Sequence, residues 1–259
     1  MSRLGLPDDS MRDDALTRAR PVSAVSAFFA PVRGAFTLLT RPSLWPWAMV
    51  PTILFVAFVA GAYAFGRSLY ARIVASVTHS IGHGALGATG GVFVGVVASL
   101  VMAAAALVVA LWVVPPLSAP FMDALAERVD KRRGRDESIG TQVIRSIRVA
   151  LAGVLFVGIP QLALAIAGLV APPLAPFCLV VGAGLGAIGL AFDALDWPLS
   201  RRGLGVGERL AWMRTHPAVT IGLGLSAWAI SLVPGLVILA LPSIVVGAVH
   251  AVNDVEGAN

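Results

Sequence analysis

Residues 117–148 read LSAPFMDALAERVDKRRGRDESIGTQVIRSIR, the one long polar island between two blocks of apolar sequence. The island holds seven of the nineteen basic residues, Arg128, Lys131, Arg132, Arg133, Arg135, Arg145 and Arg148, interleaved with Asp123, Glu127, Asp130, Asp136 and Glu137. It is a mixed-charge segment and not a basic tail. The apolar blocks on either side are placed by asking on which side of a membrane it stays. A membrane is demanded by composition: at 58% hydrophobic and 13% charged, 259 residues carry too little polar surface to coat a soluble globule. The net charge of +5 argues little for nucleic acid, because the basic residues flank apolar runs, where the positive-inside rule accounts for them. Cys178 is the single cysteine, so no intramolecular disulfide forms.

Within the island, Phe121, Met122, Leu125 and Val129 fall on one helical stripe, which predicts an amphipathic helix lying against the membrane face. Pro115-Pro116 is expected to close the preceding helix, and Ser138 to cap a second one carrying Arg145 and Arg148. Upstream, residues 84–114 form one long apolar run and residues 48–66 another, each long enough to span about 30 Å of hydrocarbon. Arg41-Pro42-Ser43-Leu44-Trp45-Pro46-Trp47 marks the point where the chain enters the membrane, with tryptophans as interface anchors. Residues 22–39 carry apolar residues at helical spacing and predict an interfacial amphipathic helix. Residues 1–21 are a polar tail, 22–252 one membrane domain, and 253–259 a short C-terminal tail. The tail carries Asp8, Asp9, Asp13 and Asp14 and no early apolar core, so no cleavable signal peptide is expected.

Downstream the apolar segments pair. Residues 149–171 and 174–192 are joined by Pro172-Pro173 and Pro176, and residues 218–233 and 236–252 by Pro234-Gly235. Both read as tight hairpins, either crossing fully or dipping in and returning. The expected fold class is therefore all-α: a polytopic integral membrane protein with two long transmembrane helices, two proline-turned helical hairpins of open insertion depth, and interfacial helices. Alternating sides places seventeen of the nineteen basic residues with both termini, so both are predicted to be cytoplasmic.

No Asp, Glu, Lys or Arg lies in the predicted hydrocarbon segments, which argues against a buried carboxylate relay. Gly184-Leu185-Gly186-Ala187-Ile188-Gly189 matches a dinucleotide fingerprint only formally, inside one apolar run, so no cofactor is expected. Gly182 and Gly186 instead suit close helix packing. His79 and His83 have a helical metal-ligand spacing, but with no carboxylate or cysteine nearby a solvated loop is the preferred reading. Ser226 and His250 have no second motif to support a hydrolase, so no enzyme is expected. Asp193 and Asp196, ahead of Arg201-Arg202, suit either a cytoplasmic latch or gate or, preferentially, residues that cap and stop a helix.

Arg41-Pro42-Ser43-Leu44-Trp45 with Pro51, Ala119-Pro120-Phe121 before Leu125-Ala126-Glu127-Arg128-Val129, Leu195-Asp196-Trp197-Pro198, and Pro242 with Gly247-Ala248 occur in this order. Together they resemble the CysZ sulfate-permease and etoposide-induced-protein family over residues 25–252. The resemblance implies an oligomeric bacterial inner-membrane protein, with two long spans and partly inserted hairpins, that admits sulfate. The permeases it resembles carry Gly-Leu-Arg and a second arginine where this chain has Ser43-Leu44-Trp45-Pro46. Arg41, Ser43 and Arg33 are thus the candidate anion donors, with a plain interface anchor as the alternative for Arg41. The expected function is a permease or channel for sulfate or a related small oxyanion. The alternative is a non-transporting scaffold or bilayer-shaping protein that docks partners through residues 117–148.

Overall fold

A computed structural model describes residues 22–81, 86–130, 151, 153–233 and 235–257. The tail 1–21, His83 and the island from Lys131 to Arg148, with the expected Ser138 cap, lie outside them, as does the His79 side chain. Every element among the described residues is helical: α1 (Ala24–Phe28), α2 (Ala30–Thr40), α3 (Trp45–Ile81), α4 (Leu86–Val129), α5 (Ile159–Val170), α6 (Ala175–Arg201), α7 (Val206–Thr215), α8 (Pro217–Ser231) and α9 (Leu236–Val255). Among the described residues, four segments are long and apolar enough to cross a membrane: Pro42–Ser68, Val96–Val129, Pro172–Arg201 and Leu236–Val255.

The single amphipathic helix expected over residues 22–39 is two helices. Ser23 caps α1, its hydroxyl accepting the Ser26 N–H at 3.1 Å. Pro31 has no N–H to continue the ladder, and the chain breaks at Phe29 before α2 begins. Val25, Phe29, Val32, Phe36 and Leu39 remain exposed, an apolar stripe suited to lipid.

Pro115-Pro116 does not close the helix it sits in. α4 continues through Pro115, Pro116 and Pro120 to Val129, 44 residues or about 66 Å. Tertiary packing overrides the local signal, since Val114, Ser118 and Ala119 are all buried. The Ser118 hydroxyl also donates to the Val114 carbonyl at 2.8 Å, satisfying backbone beside the prolines. The stripe of Met122, Leu125 and Val129 is a continuation of α4 packed on Val245, Val246 and Val249 of α9, not a separate helix lying on the membrane.

α9 organises the core. It contributes to all three apolar clusters: with α1, α2, α6, α7 and α8, with Leu44 and the end of α4, and with Ala110 and Val114 of α4 beside Phe55 and Phe58 of α3. α2 lies directly on it. A β-carbon at Gly34 would collide with the Ser243 carbonyl, and one at Gly247 with the Ala30 carbonyl, so both glycines are needed for the backbones to touch. Of the glycines expected to pack α6, Gly186 does so, against Gln161 and Trp228, whereas a β-carbon at Gly182 would meet open space and only its carbonyl is engaged, by Gln161 Nε2 at 3.0 Å.

The turn between α8 and α9 is made by Gly235 at φ 83°, in the left-handed region glycine favours. Gly235 lies against the Phe55 ring. Phe55 is ten residues into α3, so this turn sits about 15 Å along a helix that continues to Ile81.

Candidate functional site

Polar chemistry gathers at one end of the bundle, where the first residue of α3, the last turns of α4, α6 and α9, and α2 and α7 converge. α4 and α3 run antiparallel, which returns Arg128 to the start of α3: its guanidinium lies 4.2 Å from the Trp47 ring centroid, and Phe121 packs on the same indole.

The chain reaches α3 through a single 3₁₀ turn, Pro42–Leu44. The Leu44 N–H donates to the Arg41 carbonyl at 3.0 Å, and Trp45 anchors the turn by donating from Nε1 to the Leu38 carbonyl at 2.8 Å. The same turn recurs before α6. Arg41 has φ/ψ of −123°/82° and Ala171 −122°/81°; Pro172–Leu174 repeats the 3₁₀ turn, and each following helix has proline at its second position. The two differ in donors. Ala171-Pro172-Pro173-Leu174 has two prolines and bonds the Leu174 N–H inwardly at 2.8 Å, so no backbone donor is left over. At the position of Pro173 the first turn has Ser43, whose exposed N–H and hydroxyl have no protein acceptor among the described residues. Exposed Arg41 stands two residues before it.

Arg33, the third candidate donor, is engaged elsewhere. Its guanidinium pairs with Asp254 at 2.5 Å, and one turn on Thr37 lies 3.0 Å from His250, making two polar rungs between α2 and α9. The structure does not join Arg33 to the Arg41–Ser43 turn. Ser226 is buried in α8, while His250 faces Thr37.

Asp193 and Asp196 do not cap or stop their helix: α6 runs on through Pro198 to Arg201 and ends in a turn with Gly203 at φ 75°. Asp193 is exposed on the helix surface, and Asp196, Arg201 and Arg202 each take a partner outside the four residues grouped from the sequence. Asp196 accepts a hydrogen bond from Arg209 of α7, with side chains only 9% and 7% exposed. Arg202 binds Glu256 through two nitrogens at 2.6 and 2.9 Å, Asp130 at 3.0 Å, Asn253 at 2.8 Å and the Pro198 carbonyl at 2.8 Å. Burial alone would lower its pKa, but the hydrogen bonds and charges of Glu256 and Asp130 outweigh it and hold the guanidinium above its ordinary value. One arginine thereby ties the ends of α4, α6 and α9 together. Arg201 lies 3.8 Å from Asp123 and 4.0 Å from Glu127 of α4.

Arg209, Asn253, Asp254 and Glu256 were not singled out by the sequence, and Asp130 only as one charge of the island; each reads as a wet polar residue near a helix end. Only the return of distant helices to one end reveals them.

The family model described as sulfate transporter CysZ/etoposide-induced protein 2.4 matches residues 30–242, most of the chain. The chain belongs to this family. No curated protein matches it. Family membership makes it a sulfate-transporter-like, multi-pass membrane protein of a family that is not one of enzymes, and the four apolar helices agree with that placement.

Proposed function

We propose that the chain is an inner-membrane permease or channel for sulfate or a related small oxyanion, with the Arg41–Ser43 turn as a site where the anion is bound on its path. The observation that carries this is the pair of matched turns. The backbone is the same in both, so Arg41 and Ser43 are not required to build it, and they supply the guanidinium, N–H and hydroxyl that Ala171 and Pro173 lack. Arg33 stands in reserve, neutralised by Asp254.

The polar end faces the cytoplasm in this reading, in line with the positive-inside bias of its segments. Asp196, Arg201 and Arg202 belong to a latch that keeps the helix ends closed there, while Asp193 stands on the surface beside it. The α8–α9 hairpin enters the bilayer only part way, supported by its turn lying about 15 Å along α3. The α5–α6 turn, free of spare donors, is suited to hydrocarbon. Exposed Phe156, Leu169 and Val170 on this hairpin need cover from lipid or from another copy in a homo-oligomer. The scaffold alternative has less to rest on, because residues 117–130 are largely spent on packing α4 against α9.

The test is influx of labelled sulfate into proteoliposomes, with sulfite, thiosulfate and selenate as competitors. Saturable, competed influx is expected; absence of saturable flux for every oxyanion excludes the permease reading.

A further inference from the structure

Two adjacent arginines end α6, and they are treated oppositely. Arg202 uses all three of its nitrogens in hydrogen bonds. The Arg201 side chain is only 7% exposed, yet among the described residues its nearest carboxylate oxygens, Asp123 Oδ2 and Glu127 Oε2, stand at 3.8 and 4.0 Å, beyond hydrogen-bond distance. Its Nε is buried with no hydrogen-bond partner among the described residues. A buried charged group with an unspent donor is costly and calls for a ligand.

Resting on the oxyanion reading above, we infer that Arg201 is a second oxyanion site, separate from the Arg41–Ser43 turn. The planar guanidinium fork matches two oxygens of a tetrahedral anion, which a point-charge cation does not. Asp123 and Glu127 balance the charge when no anion is bound. They also set the conditions for binding: the Asp123 side chain is only 13% exposed, whereas that of Glu127 is 56% exposed and can swing into water. Glu127 is therefore the competitor that an arriving anion displaces, and the approach to Arg201 lies on its side. Exchange of a carboxylate for an oxyanion keeps the guanidinium neutralised throughout and makes binding reversible, as passage requires.

Titration calorimetry with sodium sulfate at constant ionic strength, on protein in neutral detergent, tests this with four proteins. Wild type and Arg41→Ala are expected to bind sulfate, Arg201→Gln to lose the site that persists in Arg41→Ala, and Glu127→Gln to bind several-fold more tightly. The last variant alters an exposed side chain and keeps the test decisive if Arg201→Gln does not fold. Unchanged affinity in Glu127→Gln, with binding abolished by Arg41→Ala, would overturn the Arg201 site and leave the turn standing. No sulfate binding by any of the four would remove both. In nanodiscs, a response to phosphatidylglycerol with none to free sulfate would assign Arg201 to lipid headgroups and overturn the inference.

Discussion

Asp196 and Arg209 are both more than nine-tenths buried and bonded to each other across the α6–α7 connection. Breaking a buried pair strands the remaining charge, so Asp196→Ala is expected to destabilise the protein by about 3–5 kcal/mol. Thermal unfolding in detergent measures it, and transport should fall only as far as the folded fraction does. Unchanged stability with abolished transport would make Asp196 a gate and not a brace. Arg33–Asp254 has the opposite expectation, because Arg33 is half exposed: Asp254→Asn should cost less than about 1 kcal/mol, by the same measurement. Arg202, with its pKa raised above the ordinary guanidinium value, contributes fully below that value and loses its contribution only as pH rises through the raised one. Its own titration therefore adds no pH dependence to stability near neutrality. At this scale the sequence marked Asp196 and Arg202 by their charge beside an apolar run. Their partners were illegible, since Arg209 is 13 residues away and Asp130 is 72, with no local spacing rule to connect them.

α2 and α9 meet through Gly34 and Gly247, each facing a backbone carbonyl of the other helix. A side chain at either position forces the helices apart. Gly247→Val should therefore cost about 1–3 kcal/mol and release α2, seen as increased proteolysis between α2 and α3 as well as a lower melting temperature. The sequence located the helices well, because long uncharged runs admit one reading. It placed their ends less well for a common physical reason. Pro115-Pro116 and Asp193 carry the local marks of helix ends, but burial of Val114 and Ala119, and of Leu195 and Leu199, holds the helices together through those marks. At the break before Pro31, by contrast, packing and the local mark agree: Ala27 and Ala30 on either side of it are both buried, α1 against Gly222 of α8 and α2 against Gly247 of α9.

For the whole molecule, composition decided the membrane class and the ordered proline and aromatic motifs decided the family. Neither could say that α9 is the hub, because all the apolar runs are alike in composition and only packing separates them. The architecture carries a prediction of its own. With Cys178 replaced by serine, a cysteine at Val233, beside the α8–α9 turn, is expected to resist membrane-impermeant maleimide from both sides; labelling from the side opposite the polar end would make this hairpin a full crossing.

The central claim is that an oxyanion binds at the Arg41–Ser43 turn, and the second turn supplies the variant that tests it. Arg41→Ala with Ser43→Pro rebuilds the first turn with the residues of Ala171 and Pro173, which hold the same backbone. Sulfate influx into proteoliposomes should fall at least about tenfold, the equivalent of one charge-assisted hydrogen bond, while melting temperature stays near that of wild type. Influx equal to wild type from this folded variant would contradict the account.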